Sequence, residues 1–202
     1  MINQSTLDSI LKILKDNQIC CGIGGSYLLQ VYHLCAEPKD VDFWVAPEDI
    51  SKVRKIFSQY EEIEEKIQLP SEYHFKMQYD DIQVDFVACF IVQPNQNKFV
   101  YNIMPENVKL INVGDGRILP CTSLEDWYIV YKLLRREDKA ELIKKYIYQK
   151  NIEETNTSLQ MSIDNENNKL PIKLTNDVKN FIWNNMQYNI PGLYSEQEKK
   201  ND

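Results

Sequence analysis

The stretch that decides the fold runs from Ile19 to Val45 and reads ICCGIGGSYLLQVYHLCAEPKDVDFWV. A short apolar run leads into a glycine turn, a helix-length stretch follows, and a second apolar run starts at Asp40. This order indicates strand, turn, helix and strand. Because residues two apart on a strand point to the same side, Asp40 and Asp42 share one face. Two carboxylates about 4 Å apart repel by about 4 kcal/mol at an effective dielectric of about 20, so the pair predicts a divalent cation.

The turn that precedes this pair predicts a phosphate site. Gly24 and Gly25 allow the backbone to approach a ligand closely. Ser26 can cap the following helix, whose N-terminal amides favour an anion. An anion site and a cation site joined by one helix suit a nucleoside triphosphate with magnesium.

Together the two motifs resemble the signature of the nucleotidyltransferase superfamily, the polymerase-beta-like fold of antibiotic-modifying and toxin-type enzymes. The matching residues are the glycine turn at Ile23–Ser26 and the Asp-hydrophobic-Asp-hydrophobic sequence at Asp40–Phe43, and the resemblance covers about residues 18–140. It implies an α/β (α+β) fold with a mixed, mostly antiparallel sheet flanked by helices. It also implies an enzyme that transfers a nucleoside monophosphate to a hydroxyl and releases pyrophosphate.

A third carboxylate of the site is predicted at Asp85. Residues 73–79 alternate as a strand does, a turn follows, and residues 82–90 form an almost wholly apolar partner that Asp85 interrupts. A buried carboxylate is costly unless it is paired or bound to a metal. We therefore expect Asp85 at the same sheet edge as Asp40 and Asp42. The alternative is that each is a solvated aspartate at a strand end.

The resemblance implies a role for each of these residues. Asp40 and Asp42 would hold two Mg²⁺ ions. Asp85 would be the third metal ligand, sharing the first ion, and would help to take the hydroxyl proton. The triphosphate would be bound by the backbone amides and hydroxyl of Gly24, Gly25 and Ser26.

Two cations are also carried over from the resemblance, Lys132 and Arg136, because a helix with this pattern follows a proline-led strand in many relatives. They would offset charge on the leaving pyrophosphate. Lys139, further along, matches less well. The alternative for the basic residues 132–150 is a solvated pair of helices.

The composition limits the class of protein. With 202 residues, of which 43% are hydrophobic, the chain can form one domain with a sizeable core. The net charge of −7 argues against broad binding to nucleic acid. The chain lacks a membrane-length apolar run and a signal-peptide pattern, so we expect a cytoplasmic protein that does not bind membranes. The five cysteines lack metal-ligand spacing and are expected to be reduced core thiols.

The sequence divides into three parts. Residues 1–121 are expected to form the catalytic core, residues 122–150 a helical pair packed on it, and residues 151–202 a polar linker and a C-terminal helix. We expect the first helix to start at Ser5 or Thr6, and a capping box at Thr122–Glu125 to start the helical pair.

Three functions are compatible with these patterns. The acidic chain favours a small-molecule acceptor such as an antibiotic, whereas the basic residues 132–150 keep open a toxin-type enzyme that acts on tRNA or protein. The third is a non-catalytic module that binds a nucleotide or a partner. The repulsion between Asp40 and Asp42 speaks against the module.

Overall fold

The computed structural model describes residues 2–34, 37–63, 70–92, 99–103, 105–114 and 116–161. Five α-helices lie within these ranges: α1 (Gln4–Asp16), α2 (Gly25–Val31), α3 (Ile50–Ile56), α4 (Leu124–Leu133) and α5 (Glu137–Met161). The strands are β1 (Cys21–Ile23), β2 (Asp40–Val45), β3 (Glu62–Ile63), β4 (Ser71–Tyr79), β5 (Ile82–Val92), β6 (Phe99–Tyr101), β7 (Lys109–Asn112) and β8 (Ile118–Cys121). Two single-turn 3-10 helices complete the set, Pro47–Asp49 and Pro105–Asn107.

The strands form one mixed sheet in the order β3-β4-β5-β2-β1-β8-β7, and β6 pairs with β5. The pairs β2/β5 and β1/β8 are parallel, and the other five pairings are antiparallel. The predicted mixed, mostly antiparallel sheet flanked by helices is therefore confirmed. The predicted strands on either side of the turn at Asp80 and Asp81 are also confirmed as β4 and β5.

Alternation along the central strands gives one face of the sheet an aromatic core. The rings of Phe43 and Phe75 lie 5.6 and 5.1 Å from that of Phe86, and all three are buried. Phe57, at the end of α3, stacks on Phe86 at 5.4 Å. Large stacked rings contribute both buried area and favourable ring contacts, so this face holds the sheet to α3.

The first helix begins at a different cap from the predicted one. Asn3 caps α1 by accepting a hydrogen bond from the Ser5 backbone N–H at 3.1 Å. Thr6 instead donates to Asp81 Oδ1 at 2.7 Å, which ties α1 to the β4–β5 turn. The prediction that Ser5 or Thr6 caps this helix is therefore wrong, although its buried face is as expected: Leu7, Ile10 and Leu14.

The helix after the glycine turn starts at Gly25, with Gly24 as its N-cap residue and no side-chain cap bond. The prediction that Ser26 caps it is therefore wrong. The helix is also short, since α2 ends at Val31 and His33 has a left-handed φ of 59°, which interrupts a right-handed helix.

The C-terminal helices differ from prediction in two places. Ser123 caps α4 by accepting from the Asp126 backbone N–H at 3.0 Å, so the cap lies one residue after Thr122. Helix α5 continues to Met161, so residues 151–161 are helical where the polar composition predicts a linker. The remainder of the predicted linker and the C-terminal helix lie outside the described residues.

Two predictions from composition concern the cysteines and the membrane. Cys21 and Cys121 are buried thiols, as expected, and burial raises the pKa of each to about 12. No helix in the described part of the chain is both long enough and apolar enough to cross a bilayer.

Candidate active site

The predicted carboxylates lie in a row across the central strands. Asp42 of β2 pairs with Asp85 of β5, and Asp85 pairs in turn with Lys76 of β4. Asp40 is two residues before Asp42 and so lies on the same face. The register therefore brings Asp40, Asp42 and Asp85 together, on the face opposite the aromatic core.

Lys76 lies between two of these carboxylates. Its Nζ is 2.9 Å from Asp40 Oδ2 and 3.1 Å from Asp85 Oδ2. The side chains of Lys76 and Asp85 are only 9% and 7% exposed, so water screens their attraction weakly. Since a buried ammonium is costly without such partners, the two aspartates hold Lys76 in place.

His74 contacts the other oxygen of Asp85. The distance from His74 Nε2 to Asp85 Oδ1 is 3.1 Å, and the imidazole is buried. His74 is two residues before Lys76 on β4, and both side chains therefore face the carboxylate row. Strand β4 thus contacts both oxygens of Asp85.

The glycine turn is in direct contact with the carboxylate row. A Cβ atom on Gly25 would lie 1.7 Å from Asp42 Oδ2, and Gly25 has a φ of 59°, which favours glycine. The backbone N–H of Gly24 donates to the backbone oxygen of Asp42 at 2.8 Å. The residues predicted to bind phosphate are therefore adjacent to the residues predicted to bind a cation.

The surroundings of Asp42 raise its pKa to about 7. Loss of hydration is the largest cause, and the negative charges of Asp85 and Asp40 add to it. The positive charges of Lys76 and Lys139 act in the opposite direction. The carboxylate form of Asp42 is thus costly in the protein alone, and a bound cation would reduce that cost.

The donor set suits a hard divalent cation at Asp40 and Asp42. Carboxylate oxygens are the ligands that Mg²⁺ prefers, and the raised pKa of Asp42 reflects loss of hydration first and the negative charges of Asp85 and Asp40 second. Within the ranges that the structure describes, no group of three His, Cys, Asp or Glu side chains is arranged as one metal site. Lys76 and His74 contact both oxygens of Asp85, whereas Lys76 contacts Asp40 through Oδ2 alone. Asp40, through its other oxygen, and Asp42 are therefore the pair that fits a cation.

Lys139 of α5 is a cation that reaches the glycine turn. Its Nζ donates a hydrogen bond to Ser26 Oγ at 2.6 Å. The same ammonium lies 5.3 Å from the ring centroid of Tyr131, within the range of a cation–π contact. Lys139 therefore places a positive charge at the proposed phosphate site.

The other two predicted cations have different surroundings. Lys132 Nζ pairs with Glu137 Oε2 at 2.6 Å, and Arg136 is exposed at the junction of α4 and α5. Among the described residues, no contact joins Lys132 or Arg136 to the glycine turn. The structure thus brings Lys139, and not these two, to Ser26.

Trp127 of α4 supports the turn. A Cβ atom on Gly24 would lie 2.3 Å from the Trp127 ring, so the ring occupies the space beside this glycine. Trp127 Nε1 donates to Thr122 Oγ1 at 2.7 Å, and Thr122 Oγ1 donates to the backbone oxygen of Ile23 at 2.9 Å. Trp44 packs edge-on against Trp127 at 5.4 Å. Helix α4 therefore belongs to the framework of the site.

The motifs in the sequence did not indicate Lys76 or His74 as site residues. The signal that could have found them is the tight turn at Asp80 and Asp81. A two-residue turn fixes the hairpin register, and this register puts Lys76 directly opposite Asp85. The same alternation predicts that His74, two residues before Lys76, faces the same side of the sheet.

Comparison with family models gives no match, and comparison with curated proteins likewise gives none. Several solved structures do match. A provisionally assigned nucleotidyltransferase from Thermotoga maritima is 22% identical with a TM-score of 0.54, and the match covers 74% of this chain and 96% of that one. The lincosamide antibiotic adenylyltransferase LnuA, bound to lincomycin, is 14% identical with a TM-score of 0.51, covering 71% and 97%. The antibiotic-resistance factor ANT(2'')-Ia is 14% identical with a TM-score of 0.52, covering 78% and 90%.

The likeness extends over nearly the whole length of each of these structures, so it concerns a complete domain and not a shared fragment. At these identities it establishes the fold. The same fold was implied by the glycine turn and the aspartate pair of the sequence. This chain therefore has the nucleotidyltransferase fold.

Proposed function

We propose that this protein is a magnesium-dependent nucleotidyltransferase that transfers a nucleoside monophosphate from a nucleoside triphosphate to a hydroxyl of a small molecule. The observation that carries the proposal is the contact of the glycine turn with the carboxylate row. Gly25 abuts Asp42, and Asp85 lies in register beside it. A phosphate site next to aligned carboxylates is what metal-assisted transfer of a phosphoryl group needs.

Asp40 and Asp42 would hold the magnesium. When bound, the metal supplies charge neutralisation and polarises a phosphate oxygen. Asp42 binds a metal in its carboxylate form. Because its pKa is raised to about 7, metal binding below that pH is accompanied by release of a proton.

Asp85 would take the proton of the acceptor hydroxyl. His74 and Lys76, each 3.1 Å away, fix the orientation of its two oxygens. A carboxylate has about four lone-pair positions, so Asp85 can keep both contacts and accept a proton. The acceptor oxygen forms a bond to the α-phosphorus, the bond from that phosphorus to the bridging oxygen breaks, and pyrophosphate leaves.

Lys139 and Ser26 would bind the triphosphate. They already form a hydrogen bond at 2.6 Å, so a phosphate oxygen can replace either partner without a large movement of α5. An ammonium at this position offsets the charge that develops on pyrophosphate as it leaves. We therefore assign to Lys139 the role that the resemblance gives to Lys132 and Arg136.

A small-molecule acceptor is supported by two observations. LnuA and ANT(2'')-Ia share the fold, and their names describe proteins that act in antibiotic modification or resistance. In addition, the basic residues 132–150 are partly neutralised, since Lys132 pairs with Glu137 and Lys144 lies 3.4 Å from Glu141. With a net charge of −7, this leaves little positive surface for a nucleic acid.

Transfer of label tests the proposal. The purified 202-residue chain is incubated with Mg²⁺ and each of four α-labelled nucleoside triphosphates. The acceptors are separate pools of hydroxyl-rich antibiotics, tRNA and protein. We expect label in the antibiotic pool and none with the Asp40→Asn/Asp42→Asn variant.

The matched control is Asp8→Asn, which changes an exposed carboxylate on α1 and should leave transfer unchanged. Label in the tRNA or protein pool would replace the small molecule with the toxin-type alternative. Triphosphate binding without label in any pool would favour the non-catalytic module.

A further inference from the structure

The buried ammonium of Lys76 affects how many divalent metal ions the three aspartates can bind. The resemblance implies two Mg²⁺ ions, one of them shared by Asp40, Asp42 and Asp85. We infer that Lys76 takes the place of this shared ion, so that the chain binds one divalent cation, through Asp40 and Asp42. The inference rests on the proposed function and specifies its metal requirement.

The first argument is the position of Lys76. Its Nζ lies within 3.1 Å of one oxygen from Asp40 and one from Asp85, which is the location that a cation bridging these carboxylates would occupy. The side chain is 9% exposed and starts from the interior of β4, directly opposite Asp85. The strand pairing therefore holds the ammonium in the cluster.

The second argument is that the contacts of Asp85 are already made by this chain. Lys76 contacts Oδ2 and His74 contacts Oδ1, and both partners come from the same strand. A metal ion at Asp85 would have to displace one of them, whereas Lys76 contacts Asp40 through Oδ2 alone, so a metal ion at the other oxygen of Asp40 would displace no contact of Asp85. Asp85 is thus better suited to anchor Lys76 and to accept a proton than to coordinate a metal.

The third argument is charge. Three carboxylates are balanced by one ammonium and one dication, and Lys139 remains for the triphosphate. When the acceptor hydroxyl loses its proton to Asp85, Lys76 then supplies positive charge beside the acceptor oxygen. Lys76 therefore directly contacts Asp85, the proposed acceptor of the proton.

Counting bound metal tests the inference without measuring turnover. The 202-residue chain is dialysed to equilibrium against Mn²⁺ and an α,β-methylene nucleoside triphosphate, which is not cleaved at the bond between the α-phosphorus and the methylene group. Bound manganese and bound nucleotide are then measured. We expect one Mn²⁺ per bound nucleotide in the wild-type protein and two in Lys76→Met, because loss of the ammonium opens the shared position.

Asp85→Asn provides a second variant that does not depend on the folding of Lys76→Met. If Asp85 is not a metal ligand, this variant keeps one Mn²⁺ per nucleotide, whereas Asp42→Asn loses it. A matched surface change, Lys109→Met, should leave the count at one, because Lys109 lies on β7 and is largely exposed.

Each other result contradicts the inference in a recognisable way. Two Mn²⁺ ions in the wild-type protein would overturn it and leave the proposed function standing. One ion in both the wild-type protein and a folded Lys76→Met would show that Lys76 does not replace a metal. Loss of the ion in Asp85→Asn would make Asp85 a metal ligand and overturn the assignment. No manganese with bound nucleotide would remove the proposed metal-dependent function and the inference with it.

Discussion

The two faces of strands β2, β4 and β5 are made from alternating residues of the same segments, yet they have opposite physical character. One face stacks Phe43, Phe75 and Phe86, and the other aligns Asp42, Asp85 and Lys76. Burial of the aromatic face stabilises the fold. On the polar face, poor hydration and then the nearby negative charges raise the pKa of Asp42. Along each strand, residues of the aromatic core alternate with residues of the candidate site. Substitutions on the aromatic face should therefore change mainly stability, and substitutions on the polar face mainly nucleotidyl transfer.

The largest expected effect is on transfer. Asp42→Ala removes a proposed metal ligand, and we expect the rate of nucleotidyl transfer to fall by about 1,000-fold, the upper end of the range seen when charge stabilisation of a transition state is lost. The rate with saturating triphosphate and Mg²⁺ is the measurement, and Asp8→Ala is the control. A variant that kept a tenth of wild-type activity would remove Asp42 from the chemistry.

On the aromatic face, Phe86→Ala should lower the free energy of unfolding by about 3 to 5 kcal/mol, because it leaves a cavity among three rings. Urea denaturation measures this loss. Leu110→Ala is the control, since Leu110 is 74% exposed and should change stability by less than about 0.5 kcal/mol. Equal losses in the two variants would contradict the assignment of this face as the core.

On the polar face, a substitution should raise the free energy of unfolding, whereas Phe86→Ala lowers it. The pKa of Asp42 is raised by folding from 3.8 to about 7, so the folded protein holds this proton more tightly than the unfolded chain. Stability therefore falls as the pH rises from about 4 to about 7. Asp42→Asn removes that loss and should be more stable than the wild-type protein at pH 8, by about 4 kcal/mol, because each unit of pKa corresponds to about 1.4 kcal/mol.

Thermal unfolding in the presence of a chelator, measured from pH 4 to pH 8, checks this prediction. The stability difference between Asp42→Asn and the wild-type protein should be largest at pH 8 and should close towards pH 4. A difference that does not vary with pH would mean that Asp42 has an ordinary pKa in the folded protein.

The smallest expected effect is at the phosphate site. Lys139→Met removes the ammonium that contacts Ser26 and should weaken triphosphate binding by about tenfold, equivalent to about 1.4 kcal/mol. Isothermal titration with a non-cleavable triphosphate measures the change. Lys132→Met is the comparison, because Lys132 pairs with Glu137. If Lys132→Met weakens binding more than Lys139→Met does, the role implied by the resemblance belongs to Lys132 after all.

Much of the fold could be predicted because its determinants are local. The glycine turn, the aspartate pair and the β4–β5 hairpin are each encoded within a few residues by alternation and by turn-forming residues. The grouping of Asp40 with Asp85 also followed, since a carboxylate in an apolar strand needs a polar environment. Helix ends were predicted less well, because Asn3, Gly24 and Ser123 each lie within one to three residues of another plausible cap.

Contacts between the glycine turn and residues far away in the sequence could not be predicted. Lys139 reaches Ser26 across 113 positions of sequence, and that contact depends on how α5 packs on α4 and the sheet. Choosing between Lys132, Arg136 and Lys139 required the direction of each side chain, which the basic pattern of the helix pair does not contain. Lys76 was missed for a different reason, since a lysine in a strand is ordinarily assigned to the solvent face.

The contacts of Trp127 and Lys139 bear on how the chain can be divided. A fragment ending at residue 121 would retain all three aspartates, yet it would lack the indole that packs on Gly24 and the ammonium at Ser26. The candidate site therefore extends across the boundary that composition suggests between residues 121 and 122, because it includes contacts from α4 and α5. A chimaera with another chain of this fold would keep these contacts only if residues 1–121, α4 and α5 all came from this chain.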